Sequence, residues 1–218
     1  MSKDRSAEQL AEWISAGIEA LGQQPRQHPV DSYVSFLHLL GQWGKAYNLT
    51  AIHAPETMVT HHILGSLAVL PYLRGVHALD VGTGAGVPGL VLAMARPDQQ
   101  WVLLDSRRKK IRFINQVIME LRLTNVETVC ARAEEYRPDV LFTTVITRAF
   151  GSLLKFYAGA NHMLAPDGIL LAMKGGDIAR EIEELQRLKD APVLKVHRLA
   201  VPGVDKDRCL VEMESAKM

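Results

Sequence analysis

The fold class of this chain is decided by two neighbouring stretches, His77-Ala-Leu-Asp-Val-Gly-Thr-Gly-Ala-Gly-Val-Pro-Gly89 and Trp101-Val-Leu-Leu-Asp105. In the first, an apolar strand leads into closely spaced glycines and then into an apolar helix. The second is an apolar strand that ends on a single carboxylate. This order predicts the βαβ unit that binds nucleotides at the end of a parallel sheet. We therefore expect a ligand that contains a ribose, whose hydroxyls Asp105 would bind.

The glycines of the first stretch predict a loop that lies against the ligand. Gly82, Gly84 and Gly86 have no Cβ, so each can adopt positive φ and allow the backbone to approach a ligand closely. Asp105 follows Gly86 by 19 residues, a spacing typical of an acid that binds the ribose. We predict that Gly82, Thr83 and Gly84 contact the cofactor.

The charge near the loop bears on the identity of the nucleotide. Gly84-x-Gly86-x-x-Gly89 matches the dinucleotide fingerprint, so an NAD-dependent oxidoreductase is one interpretation. Asp80, however, places a carboxylate at the end of the first strand, where it favours a cofactor with cationic groups and repels a pyrophosphate. S-adenosylmethionine carries an ammonium and a sulfonium group and no phosphate. The unit therefore favours an S-adenosylmethionine-dependent methyltransferase, with Asp80 among the residues that bind the cofactor.

The composition is that of a globular protein. The 218 residues allow one domain with an added element, and 48% of them are hydrophobic and 22% are charged. No apolar run is long enough to span a bilayer, and the polar N-terminus does not resemble a secretory signal, so we expect a cytoplasmic protein. The net charge of +1 provides no overall basic field, so any binding of nucleic acid must use a local cluster.

The cysteines and histidines do not predict a metal site. Cys130 and Cys209 each lie in an apolar, strand-like run, and we expect both to be buried thiols. His61 and His62 are adjacent, so on a helix they point in different directions. Since no spacing of cysteines and histidines is that of a metal site, we expect no metal.

The order of apolar patterns predicts an N-terminal helical extension over residues 1–74 and an α/β domain over residues 75–218. The predicted helices of the extension cover 6–21, with Ser6 as the first capping residue, then 31–44 and 55–73. In the second part, strands are predicted near 76–81, 100–105, 126–130, 140–147, 168–174, 192–199 and 208–214. Helices are predicted between them near 87–96, 107–122, 133–136, 151–163 and 177–190.

The connections indicate the topology of the sheet. Residues 202–208 leave no room for a helix, so the last two strands should form an antiparallel pair. A turn signal, Ala165-Pro-Asp-Gly168, is expected to precede the fifth strand. A mostly parallel, seven-stranded sheet with an antiparallel terminal pair is the Rossmann-like architecture of class I S-adenosylmethionine-dependent methyltransferases.

A cluster of cations begins the helix that follows Asp105. Cations at a helix N-terminus are unfavourable by about 0.3 to 1 kcal/mol each, so the cluster does not stabilise the helix. Phosphates of a nucleic acid would offset this charge and would make binding depend on salt. A solvated charged face is the alternative. The cluster, which we predict to bind RNA, comprises Arg107, Arg108, Lys109, Lys110 and Arg112.

Three polar residues follow predicted strands at the edge where a cofactor would bind. Arg148 follows the fourth strand and Lys174 ends the fifth, and we predict that both take part in catalysis. The alternatives are a structural ion pair for Arg148 and a solvent-reaching lysine at the strand end. Glu134 follows the third strand, where the adenine would lie, and is predicted to bind the cofactor unless it only begins a helix.

Together these residues resemble the RsmG (GidB) family of bacterial methyltransferases, which modify nitrogen 7 of one guanine in 16S ribosomal RNA. The resemblance runs almost from end to end. One departure is that the family's usual His-Ile-Leu-Asp-Ser reads His62-Ile-Leu-Gly-Ser66, with Gly65 in place of the aspartate. The motifs that carry the resemblance are Tyr47-Asn-Leu-Thr-Ala-Ile52, His62-Ile-Leu64, the segment 80–89, Leu103-Leu-Asp-Ser106 with Lys109 and Lys110, Val145-Ile-Thr-Arg-Ala-Phe150 and Met173-Lys-Gly175.

The resemblance implies that S-adenosylmethionine contacts Gly82, Val87, Ala133, Glu134 and Arg148, and that the N-terminal extension helps to present the RNA. Nitrogen 7 of guanine holds an in-plane lone pair, so methyl transfer to it needs positioning and no general base. We expect 16S rRNA within the small ribosomal subunit as the partner of a monomeric enzyme. An NAD-dependent oxidoreductase and a catalytically silent RNA-binding module remain the alternatives.

Overall fold

The computed structural model describes residues 7–47 and 49–214, and its N-terminal part is helical. Ser6, the predicted capping residue, and Asn48, in the motif that begins at Tyr47, lie outside the described residues. The first three helices are α1 (Ala7–Ala20), α2 (Val30–Tyr47) and α3 (residues 55–67), with a single 3-10 turn at Pro25–Gln27 between α1 and α2.

The third helix changes its geometry along its length. Its two ends, Pro55–Met58 and Gly65–Leu67, are α-helical, whereas Val59–Leu64 between them is π-helical. The prediction that this helix continues to about residue 73 is wrong. Pro71 lacks the N–H that a continuing helix would use, and Leu70–Tyr72 forms a separate 3-10 turn instead.

Seven strands form one sheet, and in chain order they are β1 (His77–Val81), β2 (Gln100–Leu104), β3 (Val126–Val129), β4 (Phe142–Thr147), β5 (Leu164–Gly175), β6 (Val193–Arg198) and β7 (Arg208–Glu214). The strands are arranged in the order β3-β2-β1-β4-β5-β7-β6. β1 to β5 pair in parallel, and β7 is antiparallel to both β5 and β6. This confirms the predicted sheet. The helices on its faces are α4 (Gly89–Ala95), α5 (Arg108–Leu121), α6 (Leu153–Ala160), which a 3-10 turn at Asn161–Met163 extends, and α7 (Ala179–Gln186).

The sheet separates two hydrophobic clusters. On one face, α1, α2 and α3 pack together with α4 and α5 against side chains such as Leu103. Ring contacts of Phe36 and Trp43 with Phe113, at centroid distances of 6.4 and 5.9 Å, join α2 to α5. On the other face, α6 and α7 cover side chains such as Leu79. The N-terminal helices therefore share the core of one face of the sheet.

The segment after β3 differs from its prediction. Residues 133–135 form a turn, which the Tyr136 N–H closes by donating to the Arg132 carbonyl at 3.0 Å, so the helix predicted at 133–136 is wrong. Pro138 disfavours helical backbone at the residue before it, which limits the segment to one turn. Cys130, predicted to be buried, is exposed because it follows β3, a strand at the edge of the sheet.

The turn signal Ala165-Pro-Asp-Gly168 is accommodated inside a strand. Phe142 of β4 is opposite Leu164 of β5, and Thr144 is opposite Ile169, so two steps along β4 correspond to five along β5. The extra residues form a bulge. As a result, β5 begins earlier than the predicted strand at 168–174.

Asn125 holds the turn between α4 and β2 against the start of β3. Its buried side-chain amide group donates to the carbonyls of Ala93, Arg96 and Gln99 at 3.0, 3.2 and 2.9 Å. These carbonyls lie at and beyond the end of α4, where a helix leaves backbone acceptors without intrahelical partners. The two hydrogens of this amide group are therefore shared among three carbonyls from a different part of the chain, of which that of Arg96 also accepts from the Gln99 N–H at 3.0 Å.

We expect the substitution Asn125→Ala to lower the free energy of unfolding by about 1 to 3 kcal/mol, because it removes the donor from buried carbonyls. Urea denaturation would measure the change. The matched control is Asn115→Ala, which removes an exposed amide that accepts from the Thr128 hydroxyl at 2.8 Å and should change stability by less than about 0.5 kcal/mol. Equal effects of the two substitutions would contradict this account of Asn125.

Candidate active site

The glycine loop lies between β1 and α4 as predicted. Gly82 has a φ of +68°, and its N–H donates to the Leu104 carbonyl of β2 at 2.8 Å. Gly89 serves close packing, because a Cβ there would lie 2.1 Å from Leu103 Cδ2 and 2.7 Å from Asp80 Oδ2. The loop is thus fixed to the ends of both β1 and β2.

Asp80 is the buried acid beneath this loop, with 1% of its surface exposed. Its Oδ2 accepts from the Thr83 hydroxyl at 2.7 Å and from the Gly89 N–H at 2.8 Å. Its Oδ1 is buried and has no protein partner. Burial raises the pKa of Asp80 to about 6, although the two hydrogen bonds and the positive charge of Arg148 oppose that shift. One oxygen therefore organises the loop, and the other can still accept a donor from a cationic ligand.

Asp105 ends β2 and joins the glycine loop to α5. Its Oδ2 accepts from the Gly84 N–H at 3.0 Å and lies 3.4 Å from Lys110 Nζ, and its Oδ1 accepts from the Arg107 N–H at 2.9 Å. Each carboxylate oxygen can accept more than one hydrogen bond, so Asp105 retains capacity for a ribose hydroxyl. The ion pair distinguishes Lys110 from the other cations of its cluster.

A first cavity of about 270 Å³ opens beside Asp105. Gly82, Asp105, Ala133 and Glu134 line it, so the structure brings together four of the residues predicted to bind the cofactor. Phe150 also lines it, and its Cδ2 would lie only 3.1 Å from a Cβ at position 82. Phe150 was not among the predicted site residues, although it is the last residue of the motif that contains Arg148. The other residues predicted to bind the cofactor do not line this cavity, and the Val87 side chain is buried in the hydrophobic cluster; these residues are Asp80, Thr83, Gly84, Val87 and Arg148.

A second cavity of about 310 Å³ lies on the other side of the segment 148–150. Ala149 lines both cavities, so this segment forms the wall between them. Arg148, Lys174 and Arg208 supply cations to the second cavity, and none of its lining side chains is acidic among the residues that the structure describes. Gly65, which replaces an aspartate of the family pattern, is also part of the lining.

Arg148 is held by the third helix. One guanidinium nitrogen donates to the His61 carbonyl at 3.1 Å and lies 3.2 Å from His62 Nδ1. The other ring nitrogen of His62 lies 3.2 Å from the Thr50 hydroxyl oxygen. Burial lowers the pKa of Arg148, and the negative charge of Asp80 opposes this effect. Sequence reasoning gave His62 and Thr50 no role, because 86 residues separate His62 from Arg148.

Lys174 is part of an ion pair that connects β5 to the helices of the other face. Its Nζ lies 2.7 Å from Glu181 Oε2 and donates to the Gly151 carbonyl. The same Glu181 oxygen accepts from the Leu153 N–H at 2.7 Å. Lys174 thus lines the second cavity while fixing the start of α6, and its catalytic role remains a prediction.

The cationic cluster on α5 faces solvent, apart from Lys110. Within residues 7–47 and 49–214, its exposed members form no ion pair with an acidic side chain. We call these exposed members the basic face, and they are Arg107, Arg108, Lys109 and Arg112.

Among the described residues, no group of three or more histidine, cysteine, aspartate or glutamate side chains is arranged to hold a metal ion. None of the helices in that part of the chain has the length and apolar character needed to cross a membrane.

Comparison with known proteins gives close relatives. A family model described as GidB, rRNA small subunit methyltransferase G, matches residues 30–211. The ribosomal RNA small subunit methyltransferase G of Legionella pneumophila (strain Philadelphia 1) is 48% identical over 181 residues, which is 83% of this chain and 85% of the relative. The protein of the same name from Coxiella burnetii (strain Dugway 5J108-111) is 41% identical over 208 residues, covering 95% of this chain and 100% of the relative.

Solved structures share the fold at low sequence identity. An S-adenosylmethionine-dependent methyltransferase from Aquifex aeolicus gives a TM-score of 0.55 at 20% identity, over 72% of this chain and 92% of that one. A putative caffeoyl-CoA O-methyltransferase from Staphylococcus aureus gives a TM-score of 0.56 at 11% identity, over 82% and 92% of the two chains. These similarities show the fold alone.

The raised pKa of Asp80 should make the stability of the fold depend on pH. Because the folded pKa of about 6 lies above the usual 3.8, the contribution of Asp80 to stability is full below pH 3.8 and is lost as the pH rises through about 6. The variant Asp80→Asn cannot ionise, so it should gain stability relative to the wild type over that rise. Urea denaturation at several pH values would measure this.

Asp98→Asn is the matched control for this experiment. Hydrogen bonds from Arg96 lower the pKa of the exposed Asp98. The effect of Asp98→Asn should therefore be opposite to that of Asp80→Asn: the variant should lose stability relative to the wild type as the pH rises from acid to neutral. If the difference in the free energy of unfolding between Asp80→Asn and the wild type were the same at every pH, the pKa of Asp80 would not be raised in the folded protein, which would contradict this prediction.

Proposed function

The chain belongs to the rRNA small subunit methyltransferase G (GidB) family, and from that premise we propose that it transfers a methyl group from S-adenosylmethionine to nitrogen 7 of one guanine in 16S rRNA. The observation that carries the proposal is the pair of cavities that share Ala149. A transfer between two reactants needs two adjoining sites. The first cavity, beside Asp105, suits the methyl donor, and the second suits the acceptor.

Two acids at and beside the first cavity fit the donor. Asp105 lines the cavity and retains capacity for the ribose, and the unpartnered Oδ1 of Asp80, which is buried beneath the glycine loop, is the acceptor that we assign to the ammonium. When bound, S-adenosylmethionine supplies an electrophilic methyl group on a sulfonium. We assign its binding to Asp80, Gly82, Thr83, Gly84, Val87, Asp105, Ala133, Glu134 and Arg148.

We assign the second cavity, which Arg148, Lys174 and Arg208 line, to the guanine acceptor. Nitrogen 7 of guanine already presents a lone pair, so the protein has no proton to remove, and its contribution is to hold the acceptor in line. Positioning of this kind supplies up to about 7 to 11 kcal/mol in favourable cases. Arginine commonly binds guanine through nitrogen 7 and the exocyclic oxygen together, which would block the lone pair. We therefore assign Arg148 to the exocyclic oxygen, a phosphate or the carboxylate of the donor, with Lys174 as the second candidate on the same side.

Access to the acceptor base sets a requirement on the RNA. An enzyme that modifies a base in a pocket acts on an unpaired or flipped nucleotide, so a loop or an assembled particle suits this site better than a regular duplex. The basic face would bind the surrounding phosphates, and the N-terminal helices would help to present the RNA. We propose a monomer that acts in the cytoplasm, and we assign Lys110 to Asp105 instead of the RNA.

Transfer of a radiolabelled methyl group tests the proposal directly. Small ribosomal subunits from cells that lack the enzyme should accept label from S-adenosylmethionine, and subunits from cells that have it should not. Chemical cleavage at the modified base followed by primer extension would locate the label. Label on another atom, or no label with naked RNA, precursor particles and mature subunits alike, would overturn the proposal. Calorimetry with NAD tests the oxidoreductase interpretation, for which we expect no binding.

Asp105→Asn should weaken the binding of S-adenosylmethionine about 10- to 100-fold, because it removes a charged acceptor whose hydrogen bonds contribute about 1.5 to 3 kcal/mol each. Isothermal calorimetry would measure the dissociation constant. Asp98→Asn, which changes an exposed acid paired with Arg96, is the control and should bind like the wild type. Unchanged affinity of Asp105→Asn would remove Asp105 from the donor site.

Arg108→Ala and Arg112→Ala should each weaken binding to small subunits and should each reduce the slope of log affinity against log salt by about 0.7 to 0.9. Filter binding at several salt concentrations would measure the slope. Arg180→Ala is the control, since Arg180 is an exposed arginine of α7 on the opposite face of the sheet and pairs with Glu184. An effect of Arg180→Ala as large as that of Arg108→Ala would mean that the basic face is not the RNA surface.

A further inference from the structure

We propose that His62 is the positioning residue for Arg148: its neutral ring accepts a hydrogen bond from the guanidinium and keeps it in the wall between the two cavities. The inference deepens the proposed function and rests on it, because it concerns how Arg148 is held for that reaction. It also gives the third helix a part in the active site itself.

The partners of His62 determine which of its nitrogens carries the proton. An arginine side chain can only donate, so Nδ1, 3.2 Å from the Arg148 guanidinium, must accept. Nε2 therefore carries the proton and donates to the Thr50 hydroxyl oxygen at 3.2 Å. Thr50 Oγ1 also accepts from the Ile52 N–H at 3.0 Å, which fixes the hydroxyl oxygen in place. Hydrogen-bond donation therefore runs in one direction, from Arg148 through His62 to Thr50.

The surroundings of His62 keep its ring neutral. Only 1% of its surface is exposed, and burial, followed by the positive charge of Arg148 and by electrostatic repulsion from the His61 ring, lowers its pKa to about 3. A charged ring would have no lone pair for Arg148 and would be repelled by it. A hydrogen bond with the His61 backbone acts in the opposite direction and is outweighed.

The two acceptors of Arg148 are adjacent residues of the π-helical segment Val59–Leu64. The His61 carbonyl and the His62 ring both reach the same guanidinium nitrogen, at 3.1 and 3.2 Å. A carbonyl oxygen has two lone pairs, so the His61 carbonyl can accept from Arg148 in addition to a backbone N–H. Short π-helical segments are frequent at functional sites.

The hydrogen bonds of Arg148 to the third helix keep it from pairing with Asp80. Its negative charge attracts Arg148, and its Oδ1 has no partner, yet the guanidinium is bound to the third helix instead. Without the His62 acceptor, only the His61 carbonyl would hold Arg148 on the third helix against the attraction of Asp80, and pairing with Asp80 would become more favourable. That pair would neutralise both the acid proposed for the donor's ammonium and the cation proposed for the second cavity.

Three substitutions at one position test the inference. In His62→Asn, the side-chain oxygen lies as many bonds from Cβ as Nδ1 does, so it can still accept from Arg148. In His62→Gln, the side-chain oxygen lies as many bonds from Cβ as Nε2 does, one more than Nδ1. In His62→Leu there is no acceptor. We expect methyl transfer to small subunits by His62→Asn within threefold of the wild-type kcat/KM, and a 10- to 100-fold loss for His62→Gln and His62→Leu. Equal activity of all three would overturn the inference.

A double-mutant cycle separates positioning from folding. If His62 acts through Arg148, then His62→Leu in an Arg148→Ala background should change kcat/KM by less than twofold. Losses that multiply would overturn the inference, because they would show that His62 acts independently. Ser66→Ala is the matched control: it removes a buried hydroxyl that donates to the His62 carbonyl at 2.6 Å, and it should lower the melting temperature while keeping kcat/KM within threefold.

Nitrogen-15 NMR of the His62 ring provides a readout that needs no activity. The wild type should show a proton on Nε2 and none on Nδ1 from about pH 5 to 8, and Arg148→Ala should shift the Nδ1 resonance. A proton on Nδ1, or no response to Arg148→Ala, would overturn the inference even if the enzyme methylates its RNA. Failure of the wild type to methylate RNA would overturn the proposed function and leave the NMR result valid.

Discussion

The hydrogen bonds to the buried carboxylate of Asp80 are the constraint on which the rest of the site depends. The Thr83 hydroxyl and the Gly89 N–H both donate to one oxygen, which closes the glycine loop over the end of β1. Asp105 then ties the loop to β2 and to the start of α5 through the N–H groups of Gly84 and Arg107. Two acids at the ends of adjacent strands thus set the shape of the first cavity.

The N-terminal helices add the other half of the site. They cover one face of the sheet within the same hydrophobic cluster as α4 and α5, and this packing brings the third helix to the edge where β4 ends. The contacts of Arg148 with His61 and His62 depend on that placement. The segment predicted as an extension for presenting RNA therefore also shapes the second cavity, although the division at residue 74 remains a prediction.

Local patterns in the sequence predicted the sheet, its antiparallel end and the glycine loop, because strand and turn propensities act over a few residues. Pairings between distant segments were not predictable in this way. Nothing near Arg148 indicates His62, and nothing near Lys174 indicates that Gly151 and Leu153 share its partner Glu181. The errors at Cys130 and at the bulge in β5 have the same origin, because each depends on what lies beside the segment in the sheet, which periodicity does not encode. The error at 133–136 is local, since Pro138 limits that segment to one turn.

The division of the core into two clusters has a consequence for spectroscopy. The chain has three tryptophans, and Trp13, Trp43 and Trp101 all belong to or pack against the cluster on the side of the N-terminal helices. Indole emission therefore reports on the side of the sheet that the N-terminal helices cover. The layer formed by α6 and α7 contains Tyr136 and Tyr157 but none of the three tryptophans, whereas the other side contains Tyr33 and Tyr72 as well, so indole fluorescence distinguishes the two sides and tyrosine fluorescence does not.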